Sequence, residues 1–233
     1  MAKRPVFIPV IKDTPLVKEL FLDFDWNPGF SITQKQKNIS ALHSKARSEG
    51  YFPVLEISTK SLELLGKNLS AFNLQLTINE SSASVESFYQ SSKVFEFGGP
   101  YLDLLNKDGR EIKQDLRLQK SGDLLRFQLF DDIWDLSPLT AFYDWLYINA
   151  LYQNPSLGQQ LLEYKGFTDI EFNPKKSFSC QARSAALFVS LVKREQLGTV
   201  IKDKTKFLSL YYKDVGEKNN PQQFLPFINS TDQ

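Results

Sequence analysis

The sequence has 233 residues, of which 42% are hydrophobic and 24% are charged, and its formal net charge is +1. This apolar content is enough for a hydrophobic core, and we expect one domain. A net charge so close to zero argues against tight binding of duplex DNA through its phosphates, so any contact with nucleic acid should be local and modest. Cys180 is the only cysteine, which excludes a disulfide within this sequence and a cysteine-based metal cluster and favours a reducing compartment.

The N-terminal segment shows no targeting signal. Residues 1–13 contain only a short apolar run, broken by Pro9, and lack the apolar core and the cleavage site of a signal peptide. No run in the sequence reaches the roughly 18 apolar residues that a membrane-spanning helix needs. We therefore expect a cytoplasmic protein with no membrane partner.

The first third of the sequence predicts strands that alternate with helices. Periodicity and turn residues predict a strand at 17–26, a turn at 27–29, a helix at 31–50, strands at 52–58 and 71–79, and a loop at 80–84. His43, the only histidine, falls on the predicted helix. One imidazole on a predicted helix cannot by itself build a zinc site or a Ser-His-Asp triad, so we expect a surface or half-buried residue there.

The stretch SVESFYQSSKVF, residues 84–95, predicts a helix with Ser84 as its N-cap and Glu86 in its first turn. Helical spacing places Glu86, Tyr89, Gln90 and Lys93 on one side. That side is either an ordinary solvated face or the wall of a catalytic pocket, and spacing alone does not decide between them.

The second half of the sequence is predicted to be more helical. We expect a breaker at Gly98 and Gly99, a hairpin at 115–130 that turns at 121–123, helices at 137–152, 156–166 and 181–198, and a loose or extended tail from residue 216. The helix at 181–198 is apolar nearly all round, so we expect it at the centre of the fold. The predicted class is α+β, mainly helical, in a single compact domain.

Several motifs occur in an order that resembles the NADAR family of N-glycosidases. They are AFNLQLTIN, SVESFYQSSK, Trp134 in DDIWDLSP, and QNPSLGQQLLEY, and the resemblance covers roughly residues 68–197. Further stretches are similar to the subtype encoded as an antitoxin beside DarT-type DNA ADP-ribosyltransferases that modify guanine: GFSITQKQKNISALH, LEISTKS, KVFEFGGPYLDLL and LTAFYDWLYINAL. The resemblance implies an N-terminal strand and helix extension at 1–67 packed on the core, a glycosidase core at 68–215 and a tail at 216–233.

The resemblance also implies an activity, which is removal of ADP-ribose from guanine bases of DNA. ADP-ribosylated DNA would be the substrate, the cognate toxin a possible partner, and no cofactor would be needed. Breaking a ribose–guanine bond requires a carboxylate near the ribose C1 atom, and Glu86 is the first candidate. The region FTDIEFNPKKSF departs from the family pattern, so a second acidic residue is open between Asp169 and Glu171.

A lysine could instead attack an opened ribose and form a Schiff base, provided that burial or a nearby cation lowers its pKa. Lys37 and Lys93 are the catalytic candidates, and Lys35 and Lys60 are further candidates that could also contact phosphate. The remaining candidates for substrate contact are Tyr89, Gln90, Asn73, Ser58, Gly98, Gly99, Asp132 and Asp169. Trp134 is a candidate catalytic residue that could stack on a base or ribose, with packing in the core as the alternative.

Two other functions fit the same features. The first is an N-glycosidase that acts on a small phosphorylated or ribosylated nucleotide. The second is a non-catalytic protein that binds ADP-ribose or the toxin and neutralises the toxin by sequestration.

Overall fold

The computed structural model describes residues 1–173 and 178–213. The strands are β1 Ala2–Pro9, β2 Val17–Phe24, β3 Val54–Glu56, β4 Gln75–Ile78, β5 Ser81–Ser84, β6 Lys93–Phe95, β7 Leu124–Leu129, β8 Asp132–Trp134 and β9 Gly166–Thr168. The helices are α1 Ile32–Ser48, α2 Leu64–Asn68, α3 Val85–Ser91, α4 Gly109–Lys113, α5 Arg117–Lys120, α6 Ala141–Gln153, α7 Pro155–Leu161, α8 Gln181–Lys193, α9 Leu197–Val200 and α10 Lys204–Lys213, with a 3-10 helix at Leu102–Asn106.

A four-stranded sheet in the order β2-β1-β9-β3 organises the molecule. Strands β1 and β2 form a long antiparallel pair, whereas β9 joins β1 at Phe7 and Phe167 and runs parallel to β3. The parallel pairing sets Glu56, the last residue of β3, opposite Thr168, the last residue of β9. The carboxyl ends of these two strands therefore lie side by side, and both lead toward the cleft described below.

Two hydrophobic clusters cover the faces of this sheet. The smaller cluster packs α1 on β1 and β2 and includes Val6, Leu22 and Leu42. The larger cluster surrounds α8, whose residues Ala182 and Ser184–Leu191 are all buried. The prediction of a central helix that begins at residue 181 is confirmed. The helix is buried on nearly all sides because its apolar side chains face in every direction.

The α+β class is confirmed, and so are the strand at β2 and the helix at α1. Ser31 caps α1, because its Oγ accepts a hydrogen bond from the Gln34 backbone N–H. The division into an extension and a core remains a prediction, and residues 214–233, which hold the predicted tail, lie outside the described residues. Within the described residues, no helix combines the length and the apolarity that crossing a bilayer requires.

Three local predictions are wrong, and one strand was missed. Residues 81–84 form a strand because Asn79 and Glu80, both at positive φ, make a two-residue turn of the kind that joins hairpin strands. Helix α3 ends at Ser91, and Lys93 belongs to β6. Residues 117–120 are helical, and the hairpin in this region joins β7 to β8. The strand β1 was not expected at all.

Candidate active site

A cleft of about 380 Å³ opens at the N-terminal ends of α3 and α8. Its volume falls in the range of small-molecule binding sites. The residues that line it are Ala71, Phe72, Glu86, Tyr89, Gln90, Lys113, Tyr143, Asp169, Glu171, Phe172, Asn173, Ser179 and Gln181. They come from five separate parts of the chain, so only the folded protein assembles the cleft.

Helix α3 presents Glu86 to the cleft from its first turn. Ser84 caps the helix through a hydrogen bond that its Oγ accepts from the Ser87 backbone N–H, at 3.1 Å. Val85 and Phe88 are fully buried and anchor the opposite side of α3 in the core. The Glu86 side chain is only 8% exposed, so its carboxylate is largely withdrawn from water and open to the cleft alone.

Two side chains hold the Glu86 carboxylate. The Lys113 ammonium lies 3.1 Å from Oε1, and Gln90 Nε2 donates a hydrogen bond to the same oxygen at 2.9 Å. The ammonium offsets part of the cost of burying the negative charge. Lys113 Nζ also lies 4.5 Å from the ring centre of Phe72, a second wall of the cleft. Glu86 is thus a preorganised carboxylate beside a cation and an aromatic face.

Tyr89 forms the aromatic wall next to Glu86. Its hydroxyl shares a hydrogen bond with Ser179 Oγ at 3.3 Å, and its ring packs against Tyr143 with 5.0 Å between centroids. Burial raises the pKa of Tyr89 to about 12; the Glu86 charge adds to the rise and the Ser179 hydrogen bond opposes it. The phenol is therefore neutral near pH 7 and keeps a proton that it can donate.

Lys93 lies behind this wall. Its Nζ is 5.1 Å from the ring centre of Tyr89, although Lys93 itself is not among the residues that line the cleft. Burial lowers the pKa of Lys93 to about 8, with Lys113 acting in the same direction and Glu86 in the opposite one. An appreciable fraction of this amine is neutral near pH 7. The effect of the Glu86 charge on the pKa of Lys93 supports the prediction that the two side chains lie close together. Lys93 is nevertheless part of β6 and not of the helix.

Asp169 and Gln181 form a further part of the cleft wall. The backbone N–H groups of Glu171 and Phe172 donate to Asp169 Oδ1, and Gln181 Nε2 donates to Oδ2 at 3.0 Å. Gln181 also accepts a hydrogen bond from the Ala71 backbone N–H, which joins the two walls. Burial, followed by the charge of Glu56, raises the pKa of Asp169 to about 7.

Glu56 lies beneath Asp169 and is 1% exposed. Its carboxyl group accepts hydrogen bonds from Ser58 Oγ, Thr168 Oγ1 and the Ile170 backbone N–H. Burial raises the pKa of Glu56 in spite of these bonds. The half-buried His43 reaches the same group, because its Nε2 lies 2.9 Å from Thr168 Oγ1, and burial lowers the pKa of His43 to about 4.

The structure brings five predicted residues together in the cleft, namely Glu86, Tyr89, Gln90, Asp169 and Glu171. Lys35 reaches its edge, since Lys35 Nζ lies 3.6 Å from Glu171 Oε1. This arrangement supports the interpretation of the Glu86 side of α3 as the wall of a pocket.

Other predicted residues lie elsewhere. Trp134 is buried in the core, with its ring 5.5 Å from Phe142 and 5.3 Å from Trp145, and it does not line the cleft. Lys37, Asn73 and Asp132 are exposed and are not among the lining residues. Ser58 is buried and bound to Glu56, and Lys60 Nζ donates to its neighbour Thr59.

Gly98 and Gly99 serve packing instead of ligand contact. A Cβ atom at Gly98 would lie 2.1 Å from the Tyr101 hydroxyl oxygen, and one at Gly99 would lie 2.2 Å from the Lys93 carbonyl oxygen. Both glycines therefore permit close approach within the fold, and neither lines the cleft.

Sequence reasoning missed Lys113, Gln181, Tyr143 and Phe72. Gln181 carried a weak signal, because it is a polar residue at the start of a helix that is otherwise apolar. Lys113 carried none, since it stands in the charged stretch GREIKQD, which is typical of a solvated surface. Within the described residues, no group of three or more His, Cys, Asp and Glu side chains has the arrangement of a metal site.

The fold and the cleft define a single-domain α+β protein with a carboxylate-bearing binding cleft that is walled by aromatic rings. A family model described as the DarT1-associated NADAR antitoxin matches residues 2–221. The chain belongs to this family, in agreement with the resemblance in its motifs. A search of curated proteins found no match to the chain.

Proposed function

We propose that this protein is an N-glycosidase that removes ADP-ribose from guanine bases of DNA and so reverses the modification made by its associated toxin. The observation that carries the proposal is the Glu86 carboxylate, which is buried, paired with Lys113 and directed into the cleft. Membership of an antitoxin family associated with DarT1 supports the biological role.

Cleavage of a ribose–base bond develops positive charge at the ribose C1 atom and negative charge on the departing base. Glu86 is placed to stabilise the positive charge and to accept a proton from the water that attacks C1. The electron pair of the broken C–N bond goes to the guanine nitrogen. This nitrogen takes up a proton from a side chain that lines the cleft or from solvent. Tyr89 and Phe72 offer aromatic faces against which a sugar or base packs.

Lys93 supports a competing chemical route. Its depressed pKa leaves neutral amine available to attack C1 of an opened ribose and form a Schiff base. Borohydride added during turnover would reduce such an adduct to a stable amine of known mass. Active enzyme that gives no adduct at Lys93 would remove this route and leave hydrolysis assisted by Glu86.

The decisive assay uses an oligonucleotide that carries ADP-ribosylated guanine. The proposal predicts release of free ADP-ribose and recovery of unmodified DNA. Release from a free ribosylated nucleotide alone would favour the metabolite enzyme, and tight binding without release would favour sequestration.

The variant Glu86→Gln tests the residue that carries the proposal. Because Gln keeps the shape and loses the charge, we expect the turnover rate to fall on the order of 10³-fold with little change in oligonucleotide affinity. Glu163→Gln is the matched control, since Glu163 is exposed and outside the cleft, and it should retain wild-type turnover. Full turnover by Glu86→Gln would refute the assignment.

A further inference from the structure

The Gln181 side chain makes three hydrogen bonds, and each one ends on a different segment of the chain. Its Nε2 donates to the Ile57 carbonyl oxygen at 2.7 Å and to Asp169 Oδ2 at 3.0 Å. Its Oε1 accepts from the Ala71 backbone N–H at 2.8 Å. The first residue of α8 therefore ties together the residue after β3, the loop after β9 and the loop before β4.

The chemistry of the amide gives the Gln181 side chain a single orientation. If the amide were turned over, its oxygen would face the Asp169 carboxylate and the Ile57 carbonyl, and its NH2 group would face the Ala71 N–H. No donor would then meet an acceptor. Both Nε2 hydrogens are committed to protein acceptors, which leaves none to bind a substrate. Gln181 lines the cleft, yet its bonds hold other groups in place.

The bond to Ala71 extends to Glu86 through the backbone. The Ala71 carbonyl oxygen accepts a hydrogen bond from the Glu86 N–H at 2.9 Å, and the Leu74 carbonyl oxygen accepts one from the Val85 N–H at 3.0 Å. Backbone N–H groups in the first turn of a helix have no partner within the helix, so the loop before β4 supplies the partners that α3 needs. Gln181 fixes this loop at Ala71, the same residue that binds the Glu86 backbone.

We propose that Gln181 is a positioning residue, which holds the Asp169 carboxylate and the start of α3 so that Asp169 and Glu86 keep a fixed separation within the cleft. This inference rests on the proposed N-glycosidase function and adds to it a residue that acts through others. Asp169 Oδ1 is held independently, because the Glu171 and Phe172 N–H groups donate to it. Loss of the Gln181 amide therefore leaves Asp169 in its loop but releases its Oδ2 atom and the loop before β4.

Amide hydrogen exchange tests these connections without any substrate. Gln181→Met keeps the length of the side chain and loses all three bonds, so the Ala71 amide should exchange about 10-fold faster than in the wild type, and the Glu86 amide should also exchange faster. Gln160→Met is the matched control, since Gln160 is exposed on α7 and its Nε2 donates to the Ser156 carbonyl of the same helix. Both amides should keep their wild-type rates there. Unchanged exchange at Ala71 in folded Gln181→Met overturns the proposal.

Steady-state kinetics of ADP-ribose release test the effect on catalysis. Gln181→Glu keeps the acceptor for Ala71, but it places an oxygen where Nε2 met Asp169 and Ile57. A carboxylate in the first turn suits the dipole of α8, so the helix itself should not be weakened. We expect kcat per folded molecule to fall about 10- to 100-fold with KM changed less than about 3-fold, because small displacements of reacting groups slow the chemical step. Gln160→Glu makes the same change of charge and should keep both constants.

The other outcomes of the kinetic experiment are distinct. A rise in KM at unchanged kcat would make Gln181 a substrate-binding residue, and a fall in rate that equals the unfolded fraction, measured by chemical denaturation, would make it merely structural. Either result overturns the proposal. Absence of release by the wild type would instead refute the proposed function, and the exchange of the Ala71 amide would still decide whether Gln181 holds this loop.

Discussion

Lys93, Tyr89 and Glu86 form one electrostatic group, although Glu86 and Tyr89 lie on α3 and Lys93 lies on β6. The Glu86 charge raises the pKa of both Tyr89 and Lys93, while burial acts upward on the phenol and downward on the amine. The result is a neutral phenol and a partly neutral amine beside a paired carboxylate. Such opposed shifts are typical of sites that move protons.

The amine of Lys93 should show this environment in chemical labelling. Its reactivity toward an acylating reagent is expected to rise from pH 6 to 8 and to level off above about pH 9, because the neutral form then predominates. In Glu86→Gln the levelling should occur at lower pH, since the charge that raises the pKa of Lys93 is removed. Quantitative mass spectrometry of the peptide that contains Lys93 measures both curves. Reactivity that keeps rising to pH 10 in the wild type would contradict the prediction.

Only part of the cleft could be predicted from the sequence. Glu86, Tyr89 and Gln90 lie within one short helix, so local spacing was sufficient to group them. Lys113 and Gln181 could not be predicted, because tertiary packing alone brings their segments to α3. For Trp134 the sequence left stacking on a ligand and packing in the core both open, and the packing of β8 on α6 buries it in the core.

At the scale of elements, the turn at Gly99 sets the place of β6 and hence of Lys93. Gly99 has φ +91°, a conformation that L residues rarely adopt, and a Cβ atom there would clash with the Lys93 carbonyl oxygen. Gly50 has a similar φ of +86° at the end of α1, but the space around it is open. A substitution at Gly50 therefore tests backbone strain alone, whereas a substitution at Gly99 tests backbone strain together with steric crowding.

Alanine substitutions at these glycines should differ in cost. Gly50→Ala should lower the free energy of unfolding by about 1 kcal/mol, because only the backbone conformation is unfavourable for alanine there. Gly99→Ala adds a clash with backbone atoms and should cost on the order of 3 kcal/mol. Urea unfolding of both variants measures the difference. Equal losses would show that the Gly99 turn relaxes easily.

Long periodic elements could be predicted, and short ones could not. Helices α1 and α8 carry patterns of 13 residues or more, which only one structure satisfies. Strands β5, β6 and β8 have three or four residues each, too few for a period to show. The β4–β5 turn uses Asn79 and Glu80 without a glycine, so the usual hairpin signal was absent.

At the scale of the whole molecule, Asp144 joins three helices. It lies on α6, is 1% exposed, and accepts hydrogen bonds from Arg183 and Ser184 on α8 and from Tyr211 on α10. Asp144 Oδ2 accepts two of these bonds, one from Arg183 Nη1 at 2.7 Å and a shorter one from the Tyr211 hydroxyl at 2.6 Å. These helices form the layer that supports the cleft from behind.

Asp144→Ala should therefore destabilise the whole fold. Removal of the acceptor leaves the Arg183 charge and the Tyr211 hydroxyl without this partner, whereas Ser184 Oγ can still donate to the Cys180 carbonyl. We expect a loss of about 3 kcal/mol in the free energy of unfolding. The double variant Asp144→Leu with Arg183→Met should lose less than the sum of its single variants, because neither charge is then left alone. Chemical denaturation of the four proteins measures the coupling. A loss under about 1 kcal/mol for Asp144→Ala would show that solvent replaces the network.

The late position of strand β9 in the sequence limits how early the cleft can form during synthesis. Thr168 binds Glu56 across 112 residues of intervening chain, and the loop after β9 supplies Asp169 to the cleft. Translation at about 5–20 residues per second delays completion of this pairing by roughly 6–22 s after β3 emerges. Contacts so distant in sequence also slow the folding step itself. The cleft therefore cannot form until most of the chain has been made.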